Sequence, residues 1–81
     1  MNKLQELRKK QGLSQSELAK KTNIKLRTIQ DYELYTINSN RNSIDNARLD
    51  KLIPLALALN CKISDLLENE ELIKQARELG I

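Results

Sequence analysis

Residues 13–33, Leu-Ser-Gln-Ser-Glu-Leu-Ala-Lys-Lys-Thr-Asn-Ile-Lys-Leu-Arg-Thr-Ile-Gln-Asp-Tyr-Glu, spell two short helices and the turn that joins them. Ser14 and Glu17 have capping-box spacing: the serine hydroxyl accepts from the Glu17 backbone N–H, and the glutamate reaches back to the N–H of Ser14. Leu13 and Leu18 flank the cap as a hydrophobic staple, and Gln15 stands in the first turn with its amide outward. This first helix is predicted to run to about Lys21. Thr22 and Asn23 then break the apolar period, and asparagine tolerates the left-handed backbone of a tight turn.

The second helix is predicted from about Lys25 to Leu34 or Tyr35, with Ile24 and Ile29 as a second staple. The 3.6-residue period turns Ile29, Tyr32 and Glu33 toward the rest of the chain. The opposite face then carries Leu26, Arg27, Gln30, Asp31 and Leu34. A fork of donors, a bidentate amide, an acceptor and apolar tips match the base edges of the DNA major groove: guanine acceptors, the adenine donor and acceptor pair, the cytosine amino group and the thymine methyl. Any exposed helix face is polar, so this stripe alone is equally compatible with solvated surface.

Working outward, the pattern Leu4, Leu7, Arg8, Gly12, Leu13, Ser14, Gln15, Leu18, Ala19, Ile24, Thr28, Ile29, Tyr32, Glu33, then Leu52, Leu55, Ala56, Leu59, Ile63, Leu66 and Leu67, resembles the Cro and phage-repressor (Xre-type) class of helix-turn-helix proteins over residues 3–68. The resemblance implies an all-α fold, a compact five-helix bundle of the phage-repressor DNA-binding type. It implies that the helix over 25–34 enters the major groove, and that Gln15 binds a DNA phosphate from the start of the second helix. It also implies an ion pair between Arg8 and Glu33, which fixes the reading helix against the first helix more than it adds stability. Base contacts are thus expected from Leu26, Arg27, Gln30 and Asp31, and phosphate contacts from Gln15, Lys25 and Arg41.

Three positions depart from the family pattern. Lys25 stands where a serine or threonine usually caps the reading helix; an ammonium cannot accept the open N–H groups, but it can reach a phosphate. Asp31 repels phosphate unless it accepts from a cytosine amino group or holds Arg27 four residues earlier, and the Arg27 role is preferred. The segment from Leu34 to Arg48 is long and rich in Asn and Ser, with Arg41 in its middle. It is either a phosphate-touching loop or a solvated one.

The remaining helices are read from their ends. Helix 1 spans about Asn2 to Gln11, and Gly12 ends it in the left-handed conformation. Helix 4 ends at Leu59 with Asn60 as its stop. Pro54 allows either a start near Lys51 or an earlier start at Asp45 followed by a kink, and a kinked or two-part helix is favoured. Ser64 is expected to cap helix 5, with Asp65 in its first turn and Leu66 and Leu67 pointing inward. Beyond the domain at residues 1–68, residues 69–81 form a C-terminal helical extension: Asn69 as cap, Leu72, Ile73, Ala76 and Leu79 on one side, Gly80 as stop. That apolar side either folds back on its own bundle or packs against a second subunit or another protein.

Charge separates the two halves of the 81 residues. Residues 1–41 hold nine Lys or Arg against four acids, whereas residues 42–81 hold five against seven, so the positive half contains the predicted reader. With no His, a lone Cys61 and no Gly-rich phosphate loop, neither an enzyme, a metal site nor a cofactor is expected. Cys61 is expected to be a buried thiol in a reducing cytoplasm. No apolar run approaches the ~20 residues that span a bilayer. The composite expectation is a cytoplasmic, nucleoid-associated repressor of bacterial or phage type, binding double-stranded DNA as a homodimer. The alternative from a different class is an antitoxin-like protein-interaction module with weak DNA binding on the same fold.

Overall fold

Helix boundaries follow the local signals closely in the computed structural model, which describes residues 2–34 and 43–81. The described residues form helices α1 (Lys3–Lys10), α2 (Gln15–Thr22), α3 (Leu26–Glu33), α4 (Leu49–Leu59) and α5 (Glu70–Glu78), with 3₁₀ turns at Ile44–Asn46 and Ile63–Asp65 and no strand. Asn2 caps α1 by accepting from Gln5 N–H, Ser14 and Glu17 form the reciprocal box on α2, and Asn69 caps α5 by accepting from Leu72 N–H. Each satisfies an N–H that the helix itself leaves open.

Four helices stop in the same way. A residue with positive φ follows each: Gly12 (φ 71), Asn23 (φ 58), Asn60 (φ 53) and Gly80 (φ 76). The next residue's N–H then reaches back over the last turn: Leu13 to the Arg8 carbonyl (3.1 Å), Ile24 to Ala19 (3.1 Å), Cys61 to Ala56 (3.0 Å) and Ile81 to Ala76 (3.0 Å). This six-to-one closure reverses the chain within two residues and drops an apolar side chain onto the helix just ended. At Asn23 it sets α3 directly after α2.

Every described helix and both 3₁₀ turns contribute to one core. Leu4, Leu18, Ile29, Ile44, Leu55 and Leu59 are all but completely buried, as is Leu66 just after the second 3₁₀ turn. Each such aliphatic side chain contributes about 1.5–3 kcal/mol by leaving water. On α5, Ile73 and Ala76 join the same cluster, so the extension folds back onto its own chain. Leu79, expected on that apolar side, is 75 % exposed: with the half-buried Leu72, one heptad earlier, it lies at the edge of the buried face.

Two expectations are corrected. Ser64 caps no helix; it sits inside the 3₁₀ turn Ile63–Asp65, where it is buried, and its backbone N–H donates to the Ile81 carbonyl (3.2 Å). The acceptor that opens this turn is Asp65, whose carboxylate takes the Lys62 N–H at 3.0 Å, so the acid and not the serine carries the start signal. At α4 the two-part reading holds in outline, but the break is not at Pro54. The helix begins at Leu49, after a separate 3₁₀ turn capped by Ser43, and the break falls at extended Ala47 and Arg48 while Pro54 lies inside the helix. Asp45 is drawn away from α4 because its Oδ1 accepts from the backbone N–H groups of Glu68 (2.8 Å) and Asn69 (3.0 Å).

Candidate nucleic-acid interface

Helix α3 is held by its inner face and open on its outer one. Ile29 and Tyr32 are buried, whereas Leu26 is 39 % and Leu34 68 % exposed. Between those apolar tips, Arg27 leaves 83 % of its side chain in solvent, and Gln30 and Asp31 are half-buried. The outward stripe therefore has the composition that the helical period assigned to it. Arg27 Nε donates to Asp31 Oδ1 at 3.2 Å, one turn along the same face. The acid thus orients the guanidinium across the stripe, and such an exposed pair adds little stability.

The geometry of the C-terminal end of α3 is set by Glu33. Its carboxylate takes both Arg8 Nε (2.7 Å, to Oε2) and Nη2 (3.0 Å, to Oε1), with the two side chains 10 % and 3 % exposed. Arg8 Nη1 meanwhile donates to the Leu13 carbonyl at 2.8 Å. One planar guanidinium therefore joins α1, the turn before α2, and α3, a task for which an ammonium lacks the fork. Asn2 adds a second tie, its Nδ2 donating to the Tyr32 carbonyl at 2.6 Å while its Oδ1 caps α1.

Gln15 differs from its expected outward pose. Its Nε2 donates to Glu33 Oε1 at 3.1 Å, because the buried carboxylate oxygen offers an acceptor next to the start of α2. A primary amide has two N–H donors, so this contact occupies only one of them. The signal for this contact was present in the residue types, a donor amide at the head of one helix and an acid at the end of the next. It was concealed by their separation of 18 positions.

Lys25 stands exposed at the head of α3 and makes no side-chain cap. Arg41 lies outside the described residues. Glu17, at the opposite corner of α2, has its carboxyl held below the usual range, chiefly by hydrogen bonds from the Ser14 backbone and hydroxyl and further by the charge of Lys20. That places an acid at the positive end of the α2 dipole and keeps it ionised. Cys61 is half-buried, and burial, aided by the Asp65 charge, pushes its thiol up to about 11. No described helix is long and apolar enough to cross a membrane.

No match was found among curated proteins or among solved structures. A family model described as helix-turn-helix does match, over residues 4–66. Its span runs from the first core leucine of α1 to Leu66 and encloses α2, α3, the left-handed turn between them at Asn23 and the Arg8–Glu33 pair. The chain belongs to the Cro/C1-type helix-turn-helix family of DNA-binding regulators.

Proposed function

We propose that this chain is a sequence-specific reader of double-stranded DNA that acts in the cytoplasm as a repressor, with residues 1–68 as the reading unit and 69–81 as an extension covering its core. The observation that carries the reading is the outward stripe of α3, open at Leu26 and Arg27 and half-open at Gln30 and Asp31, while its far end is clamped by Arg8 and Gln15 on Glu33. In the major groove, Arg27 suits guanine O6 and N7, Gln30 suits adenine N6 and N7, and Leu26 suits a thymine methyl. Asp31 steers Arg27 and can accept from a cytosine amino group. Gln15, through its second amide N–H, and Lys25 serve as phosphate contacts, joined by Arg41.

Two copies complete the site. The body measures 31 × 28 × 22 Å, so paired copies can set two α3 helices about one DNA turn, ~34 Å, apart on a near-palindromic operator. Occupancy of a promoter then blocks transcription.

The test is selection of bound oligonucleotides from a random pool, followed by anisotropy titrations on the selected site and its single-base variants. Arg27→Ala is expected to lose about 1–3 kcal/mol and to relax preference at one base, whereas Gln15→Ala weakens binding to all sequences alike. Affinity for the selected site should exceed that for bulk DNA by ~10³-fold or more and fall steeply with salt. A uniform loss for Arg27→Ala contradicts its role. One observation favours a second reading: Arg27 is already engaged by Asp31, as suits an antitoxin-like protein-interaction module with weak DNA binding. Weak binding without sequence preference would select that reading.

A further inference from the structure

Helix α4 is apolar on two sides. Leu52, Leu55 and Leu59 enter the core, but Leu49, Ile53 and Leu57, spaced four residues apart along another face, stay 57, 48 and 78 % exposed. From Leu52 to Cys61 the sequence carries no charge. The C-terminal end of the stripe opens into a shallow groove of about 210 Å³, to which Ala56, Cys61, Ile63 and Ile81 contribute beside Ile53 and Leu57, with Lys62 as its one charged wall. A surface helix normally has a polar outer face; a contiguous apolar stripe there marks a surface suited to a partner.

We infer that the outer face of α4 is where a second copy of this chain packs, the two α4 helices lying antiparallel about a two-fold axis near Ile53. Three observations select a second copy as the occupant. The stripe is symmetric about its centre, so an antiparallel copy sets Leu49 of one chain against Leu57 of the other twice over, with Ile53 meeting Ile53, as a self-complementary interface requires. The area is compatible with a pair: the open parts of Leu49, Ile53, Leu57 and Ile81 amount to on the order of 400 Å² per copy, the size of the largest apolar patch on a single chain, which is often functional. Doubled across the axis and extended by the flanking Pro54, Ala56 and Asn60, this approaches the ~1,000 Å² of a specific interface. The third observation is charge. Residues 42–81, which include α4, hold five cations against seven acids, whereas residues 1–41 hold nine against four, so pairing through α4 brings the less positive halves together. Arg27, Gln30 and Gln15 lie on neither the stripe nor the groove.

This names the surface of the pair proposed above and rests on that reading only for there being two copies. It is tested without DNA, so a failure of base reading leaves it untouched. Sedimentation equilibrium of the full chain from about 1 μM to 1 mM is expected to show a reversible dimer. Leu57→Glu, at a position already open to water, should weaken association by at least about 100-fold while helical circular dichroism at low concentration stays unchanged. Leu79→Glu, about equally exposed but just after α5, should leave the dimer intact. Combining Leu49→Lys with Leu57→Glu sets opposite charges across each arm of the axis and should restore association at low salt. A wild-type chain that stays monomeric at about 1 mM overturns the inference, as does a dimer indifferent to Leu57→Glu or one abolished by Leu79→Glu. Failure of the charge pair to restore association overturns the antiparallel arrangement.

Discussion

Glu33 shows how much of the α3 pose depends on one side chain. Its carboxylate, 3 % exposed, accepts from Arg8 twice and from Gln15 once. Burying a charge is tolerable only when its lone pairs are filled, so the pair is a weak source of net stability yet expensive to break on one side. Arg8→Ala is therefore expected to lose about 3–5 kcal/mol, read by urea unfolding. Arg8→Lys should recover only part of that, since a single ammonium cannot span both carboxylate oxygens and the Leu13 carbonyl. A loss below ~1 kcal/mol for Arg8→Ala would mean that Gln15 and solvent satisfy Glu33 alone. The partnership of residues 8 and 33 was legible through the family pattern; the third partner was not, because nothing local distinguishes an amide that faces water from one that faces a carboxylate.

Among the elements, α3 and α4 both begin without a side-chain cap, on Lys25 and Arg48, and α3 also lacks an acid in its first turn. Ser14, Asn2 and Asn69 cap their helices, whereas Lys25 leaves the N–H groups of α3 without a side-chain acceptor and adds a cation at the positive end of the dipole. Lys25→Ser is expected to raise stability by about 0.5–1 kcal/mol in thermal unfolding. If Lys25 contacts a phosphate, the same change lowers the salt slope of DNA binding by about one unit. A stabilised variant with an unchanged slope would confine Lys25 to the surface. Caps of this kind are readable because donor and acceptor lie within three residues. The misreading at Ser64 marks the limit of that rule: serine and aspartate both announce a turn, and the choice between them fell to the burial of Ser64 beneath Ile81.

At the scale of the whole molecule, burial leaves two groups reluctant to ionise. Burial first, then the Asp50 charge, raises the Tyr32 phenol above its ordinary 10.0, and burial first, then Asp65, moves the Cys61 thiol from 9.0 to about 11. Both are acids whose neutral form is favoured by folding. The unfolded chain therefore loses these protons at lower pH than the folded one, and stability falls as pH rises. The contribution of Cys61 is present in full below pH 9.0 and declines as pH rises through about 11. Unfolding midpoints measured from pH 8 to 11 should drop across that window, and Cys61→Ala should flatten part of the drop; midpoints that hold or rise would contradict the assignment.

From residue order alone came the starts and stops of α1, α2 and α3, the outward stripe of α3, and the division of charge between the halves. All of these rest on hydrogen bonds spanning a few positions, on helical periodicity, or on counting. The turning of Gln15 to Glu33, the tie from Glu68 to the backbone of Lys3 across 65 positions, the displacement of Asp45 from α4 and the bare outer face of α4 emerged only once the chain was packed. A helical period reports which residues share a face, but whether that face is covered depends on where distant segments come to rest.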